Sequence, residues 1–175
     1  MIVFNFDDDR KFPLVSSLTT VEGAVRIEIV PDGTRKSLRI VTNGRRALDG
    51  ARDIVLALPL HTLSGATERI ELELSGPRRG LQFYVEGSDG DGVGLVWKLT
   101  DENEATGRRV LAGCVAAPQD RWEEDGTDRK KAIAQPLTFH RLRLTVSGTQ
   151  DVDITLHELR LTGEVRNAPA GLSDA

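Results

Sequence analysis

Aromatic side chains are scarce in this chain: its 175 residues include five Phe, two Trp and one Tyr. A surface that grips ligands by ring stacking needs exposed rings, so a face lined with many aromatics is not expected. The single tyrosine, Tyr84, also leaves little room for polysaccharide-lyase chemistry, which needs His, Tyr, Arg and Gln clustered in a cleft. Cysteine occurs once, at Cys114, which excludes an internal disulfide and says nothing for or against export. It sits in the apolar run from Val110 to Ala117, where a free cysteine ordinarily behaves as a small hydrophobe. Lys and Arg number 23 against 27 Asp and Glu, for a formal net charge of −4. No basic block is longer than Asp128-Arg129-Lys130-Lys131. A phosphate-tracking surface needs a concentrated basic patch, so nucleic-acid binding is not expected. No apolar run approaches the roughly 20 residues that cross a bilayer as a helix, so membrane insertion is not expected either. His61, His140 and His157 are scattered, without the close spacing of a zinc site. No Gly-x-Ser-x-Gly elbow, phosphate loop or dinucleotide fingerprint occurs.

The start, Met1 to Asp9, has neither a positive n-region nor a cleavage site. The expectation is therefore either a cytoplasmic protein or a domain taken from a longer exported chain.

What the sequence has in quantity is apolar–polar alternation of period two. Such alternation places one face of a strand in a core and the other in solvent. The runs are Ile2–Phe6, Val25–Ile29, Leu38–Ile40, Ile54–Leu58, Ile70–Leu74, Leu81–Val85, Leu95–Leu99, Arg109–Ala116, Leu142–Val146 and Val152 onward. Turn residues punctuate them: Pro31-Asp32-Gly33, Asn43-Gly44, Pro59, Ser75-Gly76-Pro77, the segment 87–92, and Ser147 to Asp151. The second and third runs form a hairpin across the first of these turns. About ten short strands with little helix predict an all-β fold, an antiparallel two-sheet β-sandwich. The polar stretch Ala117 to Pro136 reads as one long excursion, with room for a helical turn or two after Asp125. A single domain over residues 1–165 is expected, followed by a linker-like or disordered tail at 166–175.

Several motifs resemble the jelly-roll domains of the galactose-binding-like superfamily, which includes many carbohydrate-binding modules and accessory domains of glycosidases. They are Phe6-Asp7 in the first strand, Gly33 to Ile40 with its Ser37-Leu38 step, and the closing strand Ile154 to Leu161. The stretch Pro59 to Gly65 with the Glu-rich strand after it, and Val85 to Gly90, are similar to accessory jelly rolls of glycosidases. The resemblance implies a non-catalytic module that binds a glycan by ring stacking and hydrogen bonds. It implies partners in the form of a carbohydrate or a neighbouring catalytic domain, and a secreted or periplasmic parent chain.

The resemblance also implies a structural calcium ion between the first and last strands, with Asp7 and Glu158 near the ligand positions. His157 stands where the pattern has an aspartate, and imidazole is a poor ligand for calcium. The acidic loop Asp89-Gly90-Asp91-Gly92 lacks the other positions of an EF-hand loop and is read as a plain turn.

For the glycan, Phe4, Phe6, Phe83 and Trp97 share parity with core positions. Tyr84 points opposite to Phe83, and Trp122 lies in the polar excursion, so these two are the candidate stacking rings. Gln82, Glu86 and Lys98 are the candidate hydroxyl partners, with Glu71 and Glu73 expected on the same outer face. Two rival readings stand beside this one. One is an interaction domain that packs on a partner through an exposed apolar patch. The other is a small glycan-active enzyme using two of Glu71, Glu73 and Glu86.

Overall fold

A computed structural model of the chain describes residues 2–7, 16–17, 25–42, 52–63, 68–76, 81–101, 107–122, 132–146 and 151–162. The strands are β1 (Ile2–Asn5), β2 (Ser16–Ser17), β3 (Val25–Asp32), β4 (Arg35–Thr42), β5 (Arg52–Leu63) and β6 (Arg69–Ser75). They continue with β7 (Leu81–Ser88), β8 (Gly94–Asp101), β9 (Arg108–Cys114), β10 (Asp120–Trp122), β11 (Leu137–Val146) and β12 (Val152–Thr162). No helix occurs among the described residues. All pairings are antiparallel, in the order β2-β5-β11-β7-β8-β9-β6-β12-β4-β3, with β1 on β12 and β10 on β8.

This sheet folds on itself into two layers. Sheet A holds β1, β3, β4, β6, β9 and β12, and sheet B holds β2, β5, β7, β8, β10 and β11. They join where the end of β8 turns to pair with β9, at Thr100↔Ala112 and Asp101↔Leu111. The expected two-sheet antiparallel jelly roll is therefore the observed fold. The hairpin of β3 and β4 turns at Gly33-Thr34, with Asp32 opposite Arg35 and Gly33 at φ 63°, a conformation that costs glycine little. Two short strands, β2 and β10, escaped the sequence reading. β10 lies within the polar excursion after Ala117, where its three residues are too few to display a period.

The inward faces fuse into one core that draws on both sheets, from Leu38 and Ile40 through Ile70, Leu72 and Leu74 to Phe83, Val85, Leu142 and Leu144. Phe6, Phe83 and Trp97 are buried there, as their parity requires. Trp97 also keeps its polar edge satisfied: Nε1 donates to the Val115 carbonyl at 2.9 Å, and the ring packs 5.3 Å from Phe139. Cys114 departs from its expected core role. It stands opposite Arg69 at the end of β9 and is exposed, while Leu111 and Val115 take the buried places. Phe4, the Asn43-Gly44 turn, Asp8, Asp9, most of the 123–134 segment and the tail at 166–175 lie outside the residues described at side-chain level.

Candidate functional site

Four of the five expected ligand-binding side chains stand together on the outer face of sheet B. Along β7, Phe83 and Val85 point into the core, so Gln82, Tyr84 and Glu86 emerge on the other side. Tyr84 is in register with Lys98 on β8 and with Arg143 on β11, and Glu86 is in register with Arg141. The Arg143 guanidinium lies over the Tyr84 ring, 4.6 Å from its centroid. The Tyr84 hydroxyl donates to Gln82 Oε1 at 2.6 Å, which fixes the ring tip. Glu86 holds two arginines by one carboxylate: Arg143 Nε donates to Oε1 at 2.7 Å, and Arg141 Nε lies 2.6 Å from Oε2. The fifth residue, Trp122, is paired opposite Gly94 on β10, beside the strand that carries Lys98; its side chain lies outside the description.

The two arginines reach this face because of a β-bulge. Pairing steps from Phe139↔Gly87 to Arg141↔Glu86, leaving His140 as the extra residue on β11. An added residue reverses which side chains face outward. Leu137 and Phe139 therefore point inward before it, and Leu142 and Leu144 after it, which releases Arg141 and Arg143 to the surface. His140 Nε2 lies 2.9 Å from Ser88 Oγ on the neighbouring strand, an anchor for the bulge. The sequence carries this signal: the apolar parity switches from odd to even across the polar pair His140-Arg141.

Sheet A carries the same device in β12. The pairing with β6 steps from Leu156↔Leu74 to Glu158↔Glu73, with His157 as the extra residue. Here the bulge feeds a polar network. His157 Nδ1 lies 3.0 Å from Asp32 Oδ2 and 2.8 Å from Ser37 Oγ, and Nε2 lies 3.0 Å from Ser75 Oγ. Ser37 donates to Asp32 Oδ2 at 3.0 Å, so its oxygen accepts from the ring. These two acceptors call for a proton on Nδ1, while Ser75 Oγ is able either to donate to Nε2 or to accept from it. Arg108 Nη2 closes on both oxygens of Asp32 at 2.6 and 2.5 Å. Burial pushes the Asp32 carboxyl up, but the Ser37 hydrogen bond and the charges of Arg108 and His157 outweigh it and hold the group below its ordinary value. For Arg108, burial acts downward, and the Glu73 and Asp32 carboxylates raise it.

Glu71 and Glu73 do not share a face with Glu86, contrary to expectation. They belong to β6 in sheet A, whereas Glu86 belongs to β7 in sheet B, because the chain crosses between layers after Ser75. Glu71 is engaged by Arg69 at 2.7 Å and Arg160 at 3.4 Å, and Glu73 by Arg108 at 3.2 Å. A carboxylate pair built from either of them and Glu86 would have the sandwich between its members.

Asp7 and Glu158 both lie near the start of β4. Asp7 is exposed and accepts from the Lys36 amide at 2.8 Å. Glu158 is buried, with Oε2 on Arg35 at 3.0 Å and Oε1 on Arg160 at 2.9 Å. Two guanidinium groups already neutralise this carboxylate, an arrangement that opposes a divalent cation. No group of three or more His, Cys, Asp or Glu able to hold a metal occurs among the described residues. In the acidic loop, Asp89 Oδ1 accepts from the amides of Asp91 and Val93 at 2.9 and 3.0 Å, and Oδ2 from Ala134 at 3.2 Å. Its carboxylate is consumed by the turn itself.

Among the described residues, Ile29 is the single exposed large hydrophobic, so they show no contiguous apolar patch. No helix of the described residues is long and apolar enough to cross a membrane.

No known family and no curated protein matches the sequence. Solved structures do match over nearly the whole chain. One is the family 11 carbohydrate-binding module from Clostridium thermocellum in complex with a beta-1,3-1,4-mixed-linked tetrasaccharide, at 12% identity and TM-score 0.59, covering 94% of this chain and 95% of that one. The solution structure of CtCBM11 is similar at 13% identity and TM-score 0.64, covering 95% and 96%. A carbohydrate-binding module of the β-sandwich superfamily is similar at 11% identity and TM-score 0.51, covering 91% of this chain and 61% of that one. At such identities the likeness establishes the fold alone: this chain has the antiparallel β-sandwich fold of those carbohydrate-binding modules.

Proposed function

We propose that the chain is a non-catalytic glycan-binding domain whose ligand lies on the outer face of sheet B. The observation that carries this reading is the convergence of Tyr84, Gln82, Glu86 and Lys98 on one face, with Arg141 and Arg143 beside them. An amphipathic ring flanked by fixed donors and acceptors suits a sugar, which offers an apolar ring face rimmed by hydroxyls. The jelly-roll fold shared with carbohydrate-binding modules supports the same reading. Binding consists of contact with the Tyr84 ring and its guanidinium cap, with hydrogen bonds from Gln82, Lys98 and the arginines. No bond in the sugar is broken. The parent is a longer, exported, glycan-active protein in which this domain holds a catalytic neighbour near its substrate.

Affinity electrophoresis through gels containing soluble polysaccharides tests the proposal. Retardation by at least one polysaccharide, abolished in Tyr84→Ala, is the expected result. Free migration in every gel would overturn it.

A further inference from the structure

We propose that the free edge of β3 is a self-association site, at which a second copy of this chain adds its own β3 in antiparallel register about Ile27. This surface is separate from the glycan face of sheet B and does not depend on it. Among the described residues β3 has one strand neighbour, β4, and it ends the strand order of sheet A. Its backbone parity follows from the hairpin. Asp32 and Arg35 close the Gly33-Thr34 turn as a hydrogen-bonded pair, so Pro31↔Lys36 is a non-hydrogen-bonded rung. The Lys36 amide agrees: it turns away from β3 and donates to Asp7 at 2.8 Å. Counting back in alternate residues, Val25, Ile27 and Ile29 direct both N–H and C=O away from β4. Such a row is a template for another strand. Pro31, which has no N–H, marks where it stops.

Side chains decide the occupant and the register. Ile29 stands opposite the buried Leu38 and so lies on the inner side, yet it is 38% exposed, with no described strand beyond it. A strand added there covers it. On the outer side, Glu28 meets Arg39 at 3.2 Å and Arg39 meets Asp153 at 2.6 Å, while Arg26 is 66% exposed and stays 3.9 Å from Glu28. In a pairing centred on Ile27, Arg26 of each copy faces Glu28 of the other. The row Asp153, Arg39, Glu28 then gains a cation at its open end, and the signs alternate throughout. Ile27, Val25 and Ile29 all fall on hydrogen-bonded rungs, which gives the junction about six backbone hydrogen bonds. Neighbouring registers fail. Centring on Arg26 or on Glu28 opposes like charges, and centring on Ile29 sets Pro31 against Ile27, whose carbonyl then meets no N–H. Self-complementarity of this kind points to a second copy as the occupant. Because both copies use the same edge, the assembly closes as a dimer.

The test is sedimentation velocity of the intact chain from about 10 μM to about 1 mM, since a short edge junction is a weak one. The inference expects a concentration-dependent shift from monomer to dimer. Hydrogen exchange at the Val25, Ile27 and Ile29 amides should slow over the same range. Arg26→Glu and Glu28→Arg should each weaken the dimer by about tenfold, because each sets like charges opposite one another across the junction. An equimolar mixture of the two variants should restore it, because every facing pair then has opposite signs. Melting curves confirm that both variants are folded. A chain that stays monomeric at about 1 mM would overturn the inference. A dimer indifferent to both substitutions, or with slowed exchange elsewhere than on β3, would overturn its placement at this edge. Substitutions that weaken the dimer without rescue on mixing would overturn the register about Ile27.

Discussion

Arg108 on β9 grips Asp32 on β3, although β6, β12 and β4 lie between their strands in the sheet order. The contact exists because β12 changes partners at its bulge. It pairs with β4 only as far as Leu156↔Leu38, and from Glu158 onward β1 takes that side. The tip of the β3–β4 hairpin then reaches across the outer face, where Asp32 meets Arg108 and His157, and Arg35 meets Glu158. One charged network thus ties five strands of sheet A.

Asp32 should therefore govern part of the acid stability. Its folded pKa lies below its unfolded one, so its contribution is complete above the unfolded value of about 3.9 and is lost as pH falls through the folded value. Asp153, lowered first of all by its hydrogen bond from Arg39, adds a smaller effect of the same sign at a more exposed site. Asp32→Asn should cost about 2 kcal/mol near neutrality and flatten the stability profile below about pH 4. Urea unfolding midpoints measured from pH 7 to pH 3 for both proteins check this. A parallel pair of curves would contradict it.

The His140 bulge should be a local structural element whose two halves act together. His140→Ala and Ser88→Ala each remove the same 2.9 Å contact, and each should cost about 1 kcal/mol. The double variant should cost little more than either single one, because a shared interaction makes the effects non-additive. Additive losses would show that the contact does not anchor the bulge.

Gly87 faces inward at the rung where that bulge begins, and a Cβ there would collide with the Thr138 carbonyl oxygen and press on the Trp97 ring at 3.3 Å. Gly87→Ala should destabilise the fold by about 3 kcal/mol through overpacking against backbone. Tryptophan emission should shift as Trp97 loses its packing. An unchanged melting temperature would contradict the close approach of β7 to β11 at this rung.

Much of the fold was legible because ten strands are long enough to display a period of two, and the parity of Phe6, Phe83 and Trp97 led correctly to the core. What escaped are features whose cause is not periodic. Cys114 sits in an apolar run, yet Arg69 across the ladder places it outside. Glu71 and Glu86 look like members of one acidic face, but the layer to which a strand belongs is decided by pairing partners far along the chain. His157 drew attention as a misfit in a calcium pattern. Its role is to occupy a bulge and join Asp32, Ser37 and Ser75, residues that no local spacing connects. For the candidate site, alternation along β7 was enough to find Gln82, Tyr84 and Glu86. Arg141 and Arg143 required the parity break at His140 to be read as a bulge.

A calcium ion held through Asp7 and Glu158 would have to displace Arg35 or Arg160 from the buried carboxylate. The melting temperature of chelator-treated protein should therefore stay the same when calcium is added. A calcium-dependent rise that disappears in Asp7→Asn would place the ion there. Glu158→Gln should lower stability equally with and without calcium, because it removes the buried negative charge that Arg35 and Arg160 share.

The most direct measurement of the central claim is amide chemical-shift mapping during titration with oligosaccharides cut from whichever polysaccharide retards the chain. The perturbed amides should cluster at residues 82–86, 96–98 and 141–145, on the outer face of sheet B, and shifts at residues 69–75 and 155–160 of sheet A should be absent. Shifts concentrated on sheet A, or none at saturating sugar, would contradict the account.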